Sequence, residues 1–358
     1  MKKTSKLLAM SLLTALFTVG CSNDDDDSQK KTEEVGATLT ASMGADLSNQ
    51  VYIDLSEEKM TTVAVNSWEL SFENSGNGIK TNSAKKVAVA EPSETDFSLV
   101  STDDGLTYSY DTEDGNLTTT ALSGWTANQP YIIDLGIDNN GNALGKKKFM
   151  ITGTDASEIS FKYADLDGSN EESKTIDLTE GNFTYFSLIN NEIKTIEPTD
   201  WDFVLTGLSV RTGAPCFTLG PAAMPGINCD VYRLATSAIT NAYTGVEVAL
   251  DNPFENLEQN DDPESELNTK GIESSNYDTI NISDFNLNGG ASDADAIGSS
   301  WLQILQPHSS GTFKVYDFKT YIIKDAEGNH FKVRFLAYKG GDNAENGHPT
   351  FEYKLLSE

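Results

Sequence analysis

Apolar and polar residues alternate along most of this chain, with the period of two that a half-buried β-strand produces. Residues 51–55, 68–72 and 351–355 each place apolar side chains on one face and polar ones on the other. Clusters of Gly and Asn, such as residues 139–142, separate these runs and are typical of hairpin turns. The sequence shows no long run with helical period. The pattern predicts an all-β fold of antiparallel sheets.

The alternating pattern also repeats within the chain. Tyr52 lies 16 positions before Trp68, and Tyr185 lies 16 positions before Trp201. Each tyrosine opens a similar apolar run, and each tryptophan opens another. The spacing predicts an internal duplication, in which the two tryptophans anchor equivalent parts of the core rather than forming a ligand platform.

The second copy is longer than the first. The Tyr-to-Trp part of the repeat is offset by 133 residues, whereas Tyr131-Ile132-Ile133 and its counterpart Tyr321-Ile322-Ile323 are offset by 190. The second copy therefore carries 57 additional residues in its middle, including a polar, acidic stretch at 253–275 that is typical of a loop. Because the shared framework is scaffold, function is sought in the material that one copy alone contains.

The first residues form a targeting segment. A basic start and a short apolar run at 1–20 are typical of a secretory signal peptide, and Gly20-Cys21 resembles a bacterial lipoprotein box. Lipidation of Cys21 would anchor the mature chain through acyl chains; an ordinary cleaved signal is the alternative. The acidic run 24–27 is typical of a solvated tether, and it resembles the surface-export signal of Bacteroidetes lipoproteins. We expect an outer-membrane, surface-exposed lipoprotein.

Composition and charge exclude several functions. The chain has 55 Asp and Glu residues against 25 Lys and Arg, a formal net charge of −30, so nucleic acids and anionic lipid surfaces would repel it. It contains 3 His and 3 Cys, too few for a zinc framework or a Cys–His active site. No phosphate loop, nucleophile elbow or zinc motif is present, so we assign no catalytic residue or structural metal and predict that the protein is not an enzyme.

Apart from Cys21, the chain contains two cysteines, and both would leave the cytoplasm with the secreted protein. Cys216 and Cys229 lie 13 positions apart and flank a proline-containing segment. An oxidising compartment favours a disulfide between them. Two unpaired buried thiols are the alternative.

The order and spacing of these segments resemble the HmuY family, haem-binding surface lipoproteins of Bacteroidetes. The resemblance rests on the aromatic and Trp-Asp strands at 185–205, Gly-Ser-Ser-Trp-Leu at 298–302, the run 321–335 and Pro-Thr-Phe-Glu-Tyr at 349–353. It covers about residues 183–358, and the first half is similar to a shorter second copy. The resemblance implies a sandwich-like fold of antiparallel sheets in two tandem copies. We divide the chain into a signal peptide (1–20), a lipidated acidic tether (21–36), an N-terminal β repeat (37–182) and a C-terminal HmuY-like domain (183–358).

The resemblance also implies a haem site with two axial ligands in loops of the C-terminal half. His308 lies near the family's ligand position after the Trp-Leu strand and is the ligand carried over, although Gln306 can occupy the same place. Met224 is the nearest soft side chain upstream, and its position does not match the family's other ligand. His308 alone, His308 with Met224, or a tyrosine such as Tyr277 therefore stay open as iron ligands.

Two functions follow from this reading. The first is capture of haem or another tetrapyrrole for iron acquisition, with delivery from a haem-carrying protein or to an outer-membrane transporter. The second is a non-haem module for glycan or protein on the same scaffold, because a fold does not dictate its site. His330 and His348 follow or precede turns, and we expect both to be exposed.

Overall fold

Strands predominate in the part of the chain that the structure, a computed structural model, describes: residues 36–178, 181–211, 232–253, 275–305, 312–341 and 344–357. The first ten are β1 (Gly36–Thr40), β2 (Asn49–Asp54), β3 (Lys59–Ala64), β4 (Leu70–Glu73), β5 (Ile79–Thr81), β6 (Ala88–Ala90), β7 (Pro130–Asp134), β8 (Lys146–Thr154), β9 (Glu158–Asp165) and β10 (Glu172–Asp177). The next ten are β11 (Phe183–Ser187), β12 (Glu192–Lys194), β13 (Phe203–Arg211), β14 (Tyr232–Thr240), β15 (Glu247–Asp251), β16 (Leu302–Leu305), β17 (Thr312–Val315), β18 (Thr320–Lys324), β19 (His330–Ala337) and β20 (Thr350–Leu356). The described residues also include an α-helix, α1 (Ile282–Asn288).

Antiparallel pairing groups these strands into four sheets, which confirms the predicted all-β, antiparallel fold class. In hydrogen-bonding order, sheet I is β1-β20-β19-β18-β15, sheet II is β14-β13-β2-β3, sheet III is β12-β11-β4-β5 and sheet IV is β10-β9-β8-β7-β6. β16 and β17 form a separate two-stranded ribbon.

Two sandwich cores lie between pairs of sheets. Sheets I and II enclose a core to which β2 contributes Val51 and Ile53 and β13 contributes Phe203. Sheets III and IV enclose a second core to which β4 contributes Leu70 and Phe72. Each core forms because alternate residues of facing strands are apolar, which buries one face of each sheet.

The opposite faces of sheets II and III carry a third buried cluster. Tyr52 and Val204 belong to sheet II and point away from its sandwich core, and Tyr185 does the same in sheet III. The cluster includes Trp68 and Trp201, which confirms that both tryptophans are buried in the core. The sheets are therefore stacked in the order I, II, III, IV, and residues 34–358 form one compact unit.

The two sequence copies exchange their first hairpins. β2 of the first copy pairs with β13, the tryptophan strand of the second copy, through Val204 and Tyr52. β11 of the second copy pairs with β4, the tryptophan strand of the first, through Phe186 and Leu70. Strand β2 of the first copy therefore lies beside the tryptophan strand of the second copy, and its equivalent, β11, lies beside the tryptophan strand of the first.

As a result, the sandwiches do not follow the two halves of the sequence. Sheets III and IV use the continuous stretch from β4 to β12, whereas sheets I and II combine β1–β3 with β13–β15 and β18–β20. The boundaries 37–182 and 183–358 describe the sequence duplication and stay a prediction for domain limits.

Buried carboxylates secure the exchanged strands in the same way in both copies. Asp202 Oδ2 accepts a hydrogen bond from the Leu55 amide, 2.7 Å away, just beyond β2. The residue at the matching place in the first copy is Glu69, and its Oε2 accepts from the Ile189 amide and the Ser187 hydroxyl, both at 3.2 Å, at the end of β11. An acidic residue directly after each tryptophan therefore binds the end of the strand that comes from the other copy.

Candidate functional site

A cleft of about 130 Å³ opens between sheets II and III. Tyr52 and Val204 line it from sheet II because they alternate with residues that face the sandwich core. Tyr185 and Lys80 line it from sheet III, where Lys80 alternates with Ile79 of the other core. In both sheets, the alternation of side chains therefore directs these residues away from their own sandwich core and into the cleft.

Each exchanged hairpin brings one aromatic pair together, and these two pairs form the apolar part of the cleft. Tyr52 meets Trp201 edge to face, with ring centroids 5.0 Å apart, and Trp68 meets Tyr185 in the same way at 4.8 Å. Each tryptophan therefore contacts the tyrosine of the other copy. This geometry is among the favoured arrangements of aromatic side chains, and the two pairs make a rigid, quasi-symmetric wall.

Asparagines hold both tryptophan segments in equivalent ways. Asn82 donates from Nδ2 to the carbonyl of Trp68 at 2.9 Å, and Asn241 donates to the carbonyl of Trp201 at 3.0 Å. Asn82 follows its tryptophan by 14 residues, whereas Asn241 follows its own by 40. The difference places 26 of the additional residues of the second copy between Trp201 and Asn241, the interval that contains Met224.

Four charged residues line the cleft: Lys80, Asp111, Glu113 and Glu197. Burial raises the pKa of Asp111, although its carboxylate accepts from the amides of Thr81 at 2.7 Å and Ala121 at 2.9 Å. Burial also raises the pKa of Glu197, whose carboxylate accepts the Tyr185 hydroxyl, while the nearby Lys80 opposes the rise.

Lys80 supplies the positive charge. Its Nζ lies 3.9 Å from the ring centroid of Phe183 and 4.7 Å from that of Tyr243. Burial lowers the pKa of Lys80, and the carboxylates of Glu197 and Asp111 oppose that effect. The ammonium is held mainly by aromatic faces, which attract cations most strongly where water is excluded.

The cleft does not offer the ligands that haem iron requires. Its lining contains no His, Met or Cys among the described residues. Burial raises the pKa of Tyr52, Tyr185 and Tyr243, so each phenol stays protonated, whereas an iron-bound tyrosine is a phenolate. The residues present here fit an organic ligand rather than an iron centre.

The site residues predicted from sequence lie outside the described residues. They are Cys21, Cys216, Met224, Cys229 and His308. Their roles stay predictions.

The strands on either side of two of these residues are described. Met224 falls between β13 and β14, which pair as far as Arg211 and Tyr232. His308 falls between β16 and β17, which pair as far as Leu305 and Thr312. Both candidate ligands therefore belong to connections between paired antiparallel strands.

Tyr277 is committed to other contacts. Its ring lies under Lys332 Nζ at 4.6 Å and under the Arg334 guanidinium at 4.4 Å, and its carbonyl accepts a hydrogen bond from Lys332 Nζ at 2.6 Å. Burial raises its pKa, so the phenolate that iron would require is disfavoured. The structure thus gives Tyr277 a packing role beneath two cations.

The two described histidines are half-buried rather than exposed, so that expectation was wrong. His330 packs edge to face on Phe285 with centroids 5.0 Å apart. His348 lies 3.1 Å from the Ser42 hydroxyl through Nε2 and 3.0 Å from the Asn346 carbonyl through Nδ1. Local turn signals did not reveal these partners because both Phe285 and Ser42 are distant in sequence.

Sequence analysis missed the ionisable residues of the cleft. Lys80 stands between two buried residues of a short strand, and Glu197 and Asp111 occur in loops without a motif. The only available signal was the alternation in β5, which places a lysine on the face opposite the core. The convergence of the three depends on the stacking of sheets II and III.

The model of the HmuY family, described as HmuY protein, matches residues 46–175 and 179–353, together most of the chain. No curated protein matches the chain. Within the described residues, no helix has the length and the apolar run needed to cross a membrane.

Several solved structures are similar to this chain at low identity. A candidate HmuY-like heme-binding protein of Bacteroides vulgatus is 12% identical, with 90% of this chain and 93% of that chain covered and a TM-score of 0.25. Apo PinO of Porphyromonas gingivitis is 10% identical, with 90% and 97% covered and a TM-score of 0.27. The apo HmuY analogue of Tannerella forsythia is 11% identical, with 93% and 100% covered and a TM-score of 0.25.

Proposed function

The chain belongs to the HmuY family, and on that premise we propose that it is a cell-surface lipoprotein that captures haem or a related tetrapyrrole for iron acquisition. It acts as a binding protein and not as an enzyme. Cys21 carries the lipid anchor in the outer membrane, and the acidic segment 24–27 keeps the folded unit away from the bilayer. A haem-carrying protein or an outer-membrane transporter is the expected partner.

Family membership is the observation that carries this proposal. The family model matches both copies of the duplication, so the whole fold follows the pattern of the family. Within that pattern, His308 is the ligand carried over from the resemblance, and Met224 is the candidate for the second face of the iron. Neutral imidazole and thioether sulfur are both established axial ligands of haem.

Strand directions support a shared location for these two ligands. Residues 294–298 run antiparallel to the end of β14: the Thr240 amide donates to the Ala294 carbonyl at 2.8 Å, and Ala238 bridges Gly298. From Ala294 to Gly298 the chain therefore advances toward the end of β14 at which Tyr232 lies. The connection containing Met224 begins at that end.

A second contact supports the same placement. Trp301, which directly precedes β16, packs against Tyr338 with centroids 6.3 Å apart, and the Tyr338 hydroxyl is 3.4 Å from Thr236 Oγ1 in β14. The ribbon of β16 and β17 therefore starts beside β14. The described strand ends next to these two connections therefore support the proposal that His308 and Met224 bind one haem.

Titration of the purified mature protein with ferric haem tests the proposal. We expect a shift of the Soret band, and we expect His308→Ala to weaken binding at least about tenfold. Met224→Ala is expected to change the low-spin signature of the spectrum while leaving part of the affinity. His348→Ala is the matched control, because it also removes an imidazole and His348 is half-buried against Ser42.

Two results would contradict the proposal. A spectrum that stays that of free haem at tens of micromolar protein removes haem as the ligand. Binding that persists unchanged in His308→Ala but is lost in His348→Ala removes the ligand assignment.

Acidification toward the ordinary pKa of histidine, about 6.5, is expected to weaken haem binding because imidazolium cannot coordinate iron.

A non-haem binding function is the second candidate, and the cleft between sheets II and III favours it. The cleft combines aromatic walls with ionisable groups and has no iron ligand in its described lining. Such a combination is typical of small-molecule sites. A glycan array and a pull-down with haem-free protein test the wider form of this function, and no enrichment above background counts against it.

A further inference from the structure

We propose that the cleft between sheets II and III binds a small organic monocarboxylate that carries a single ring. This site is separate from the proposed haem site, and its test does not depend on haem binding. Some hydrogen-bonding groups of the cleft are already used by the protein, and others are left for a ligand. Buried polar groups are almost always paired, so an unused group in a cleft indicates the complementary group of its ligand.

The carboxylates of Asp111 and Glu197 are used by the protein. Both carboxylate oxygens of Asp111 accept backbone amides, from Thr81 and from Ala121. The carboxylate of Glu197 accepts the hydroxyl of Tyr185. Burial raises the pKa of Asp111 and of Glu197. A cationic ligand would therefore find these two carboxylates already engaged by the protein.

Several donors of the cleft are unused within the described part of the chain. Trp68 Nε1 and the hydroxyls of Thr81 and Thr120 have no hydrogen-bond partner there, and two further donors belong to Lys80 and Tyr52. Lys80 Nζ contacts the rings of Phe183 and Tyr243 but has no hydrogen-bond acceptor or carboxylate within bonding distance there. Tyr52 accepts a hydrogen bond from Gln50 Nε2 at 3.1 Å, and its own hydroxyl hydrogen has no acceptor among the described residues. Burial raises the pKa of Tyr52, so this hydroxyl stays a donor.

An ammonium and a phenol among the unused donors favour a carboxylate. Hydrogen bonds in which the donor or the acceptor is charged are about twice as strong as neutral ones, and a carboxylate can accept from both donors at once. The rings around Lys80 stabilise its charge without supplying an acceptor. A ligand carboxylate would complete the ammonium's hydrogen bonding and offset the cost of holding it away from water.

The apolar part of the cleft sets the size of the rest of the ligand. Its volume of about 130 Å³ is close to that of an engineered cavity of about 150 Å³ that binds benzene. The walls are the pairs Tyr52–Trp201 and Trp68–Tyr185, whose edge-to-face packing leaves flat and edge surfaces suited to one ring. A tetrapyrrole exceeds this space, so the cleft selects a much smaller molecule.

Three probes that share one ring and differ in the charge of their head group test the proposal: benzoate, benzyl alcohol and benzylamine. Calorimetry and saturation-transfer NMR on the purified mature protein measure their affinities. We expect benzoate to bind with a dissociation constant in the millimolar range or tighter, and at least about tenfold more tightly than either of the other two probes.

Two variants and a control complete the test. Lys80→Met keeps the length of the side chain and removes the charge, and we expect at least about a tenfold loss of benzoate affinity. Tyr52→Phe removes one donor and is expected to cause a smaller loss, with an unchanged circular dichroism spectrum. Lys59→Met, at an exposed position of β3, is the matched control and is expected to bind benzoate like the unmodified protein.

The proposal is overturned if benzoate fails to bind at about 20 mM, a concentration that detects even weak fragments. Binding of benzylamine as tight as that of benzoate would also overturn it, because the acidic residues would then select the ligand. If Lys80→Met and Tyr52→Phe both keep the benzoate affinity within twofold, the benzoate site does not lie in this cleft. Haem binding by His308→Ala and benzoate binding are measured separately, so failure of one proposal leaves the other intact.

Discussion

Lys85 Nζ lies 2.5 Å from Glu69 Oε1, and both side chains are fully buried. Glu69 follows Trp68 of the first copy, and its other oxygen accepts the amide of Ile189, which belongs to the second copy. One carboxylate thus joins an ion pair of the first copy to the strand end that the second copy contributes to sheet III. The pair fixes the place where the two copies cross.

We expect Lys85→Met to lower the free energy of unfolding by about 3–5 kcal/mol, because it leaves the buried carboxylate of Glu69 without its counter-charge. The double variant with Glu69→Gln is expected to be more stable than Lys85→Met alone, since no buried charge is then unpaired. Urea unfolding measures both. Lys174→Met is the control: its contact with Glu172 is partly exposed, at 3.6 Å, and is expected to contribute less than about 1 kcal/mol. A loss for Lys85→Met no larger than for this control would contradict the assignment.

Asp202 makes stability depend on pH. Burial, with smaller contributions from Asp325 and Asp54, raises its pKa from 3.8 to about 7. Between these values the folded protein holds a proton that the unfolded chain releases, so stability falls as pH rises through this window. The contribution of this group is fully present below about pH 4 and is lost above about pH 7.

Asp202→Asn removes this titration while its amide oxygen can still accept the Leu55 amide. We expect the variant to be more stable than the unmodified protein at about pH 8, by up to about 4 kcal/mol, and the difference to vanish near pH 4. Thermal or urea unfolding across this range measures the difference. Asp200→Asn, an exposed position two residues earlier, is expected to leave the pH profile unchanged. Parallel profiles for Asp202→Asn and the unmodified protein would refute the prediction.

The aromatic pairs test the hairpin exchange. Trp68 contacts Tyr185 of the other copy rather than Tyr52 of its own. A double-mutant cycle between Trp68→Ala and Tyr185→Leu is expected to give a coupling of about 0.5–1.5 kcal/mol, and the cycle with Tyr52→Leu a value near zero. Trp68→Ala alone is expected to cost about 3–5 kcal/mol. A larger coupling with Tyr52 than with Tyr185 would mean that the copies do not exchange.

The predicted disulfide between Cys216 and Cys229 is expected to form in protein secreted to an oxidising compartment. Alkylation after unfolding without reductant, followed by mass spectrometry, should label neither cysteine, and reduction should expose both. In the chain-entropy model, Cys216→Ser is expected to lower stability by about 3 kcal/mol. Labelling of both thiols without reductant would show that the bond is absent.

Lipidation of Cys21 is expected to hold the protein in the membrane fraction. Cys21→Ser should abolish incorporation of labelled fatty acid and release the folded chain, because acyl chains provide the anchor. Protease accessibility on intact cells measures surface exposure, and replacement of Asp24 to Asp27 by Ser or Asn is expected to reduce it without affecting acylation. Equal acylation of Cys21→Ser would show that the cysteine is not the modified residue.

Alternation of period two predicted the strands well because it is a local property. Every second side chain of a strand faces the same way, so the apolar residues of β2 and β13 mark a buried face wherever the strand is placed. The equal Tyr-to-Trp spacing likewise revealed the duplication. Neither signal indicates which strands pair with each other.

The cleft was not predictable from local pattern. Lys80, Asp111 and Glu197 lie in three separate segments and share no motif. Their convergence follows from the packing of sheet II on sheet III, and Lys80 acquires its aromatic contacts from Phe183 and Tyr243 of other segments. The chemistry of this site is therefore a property of the stacked sheets.

By itself, the sequence determined the all-β class, the internal repeat and the burial of Trp68 and Trp201. The tertiary structure alone decided that β2 pairs with β13 and β11 with β4. Backbone hydrogen bonds are alike for either copy of a duplicated strand, so pairing is chosen by side-chain packing and by buried contacts such as those of Asp202 and Glu69. That choice places the tyrosine of one copy against the tryptophan of the other and creates the cleft between them.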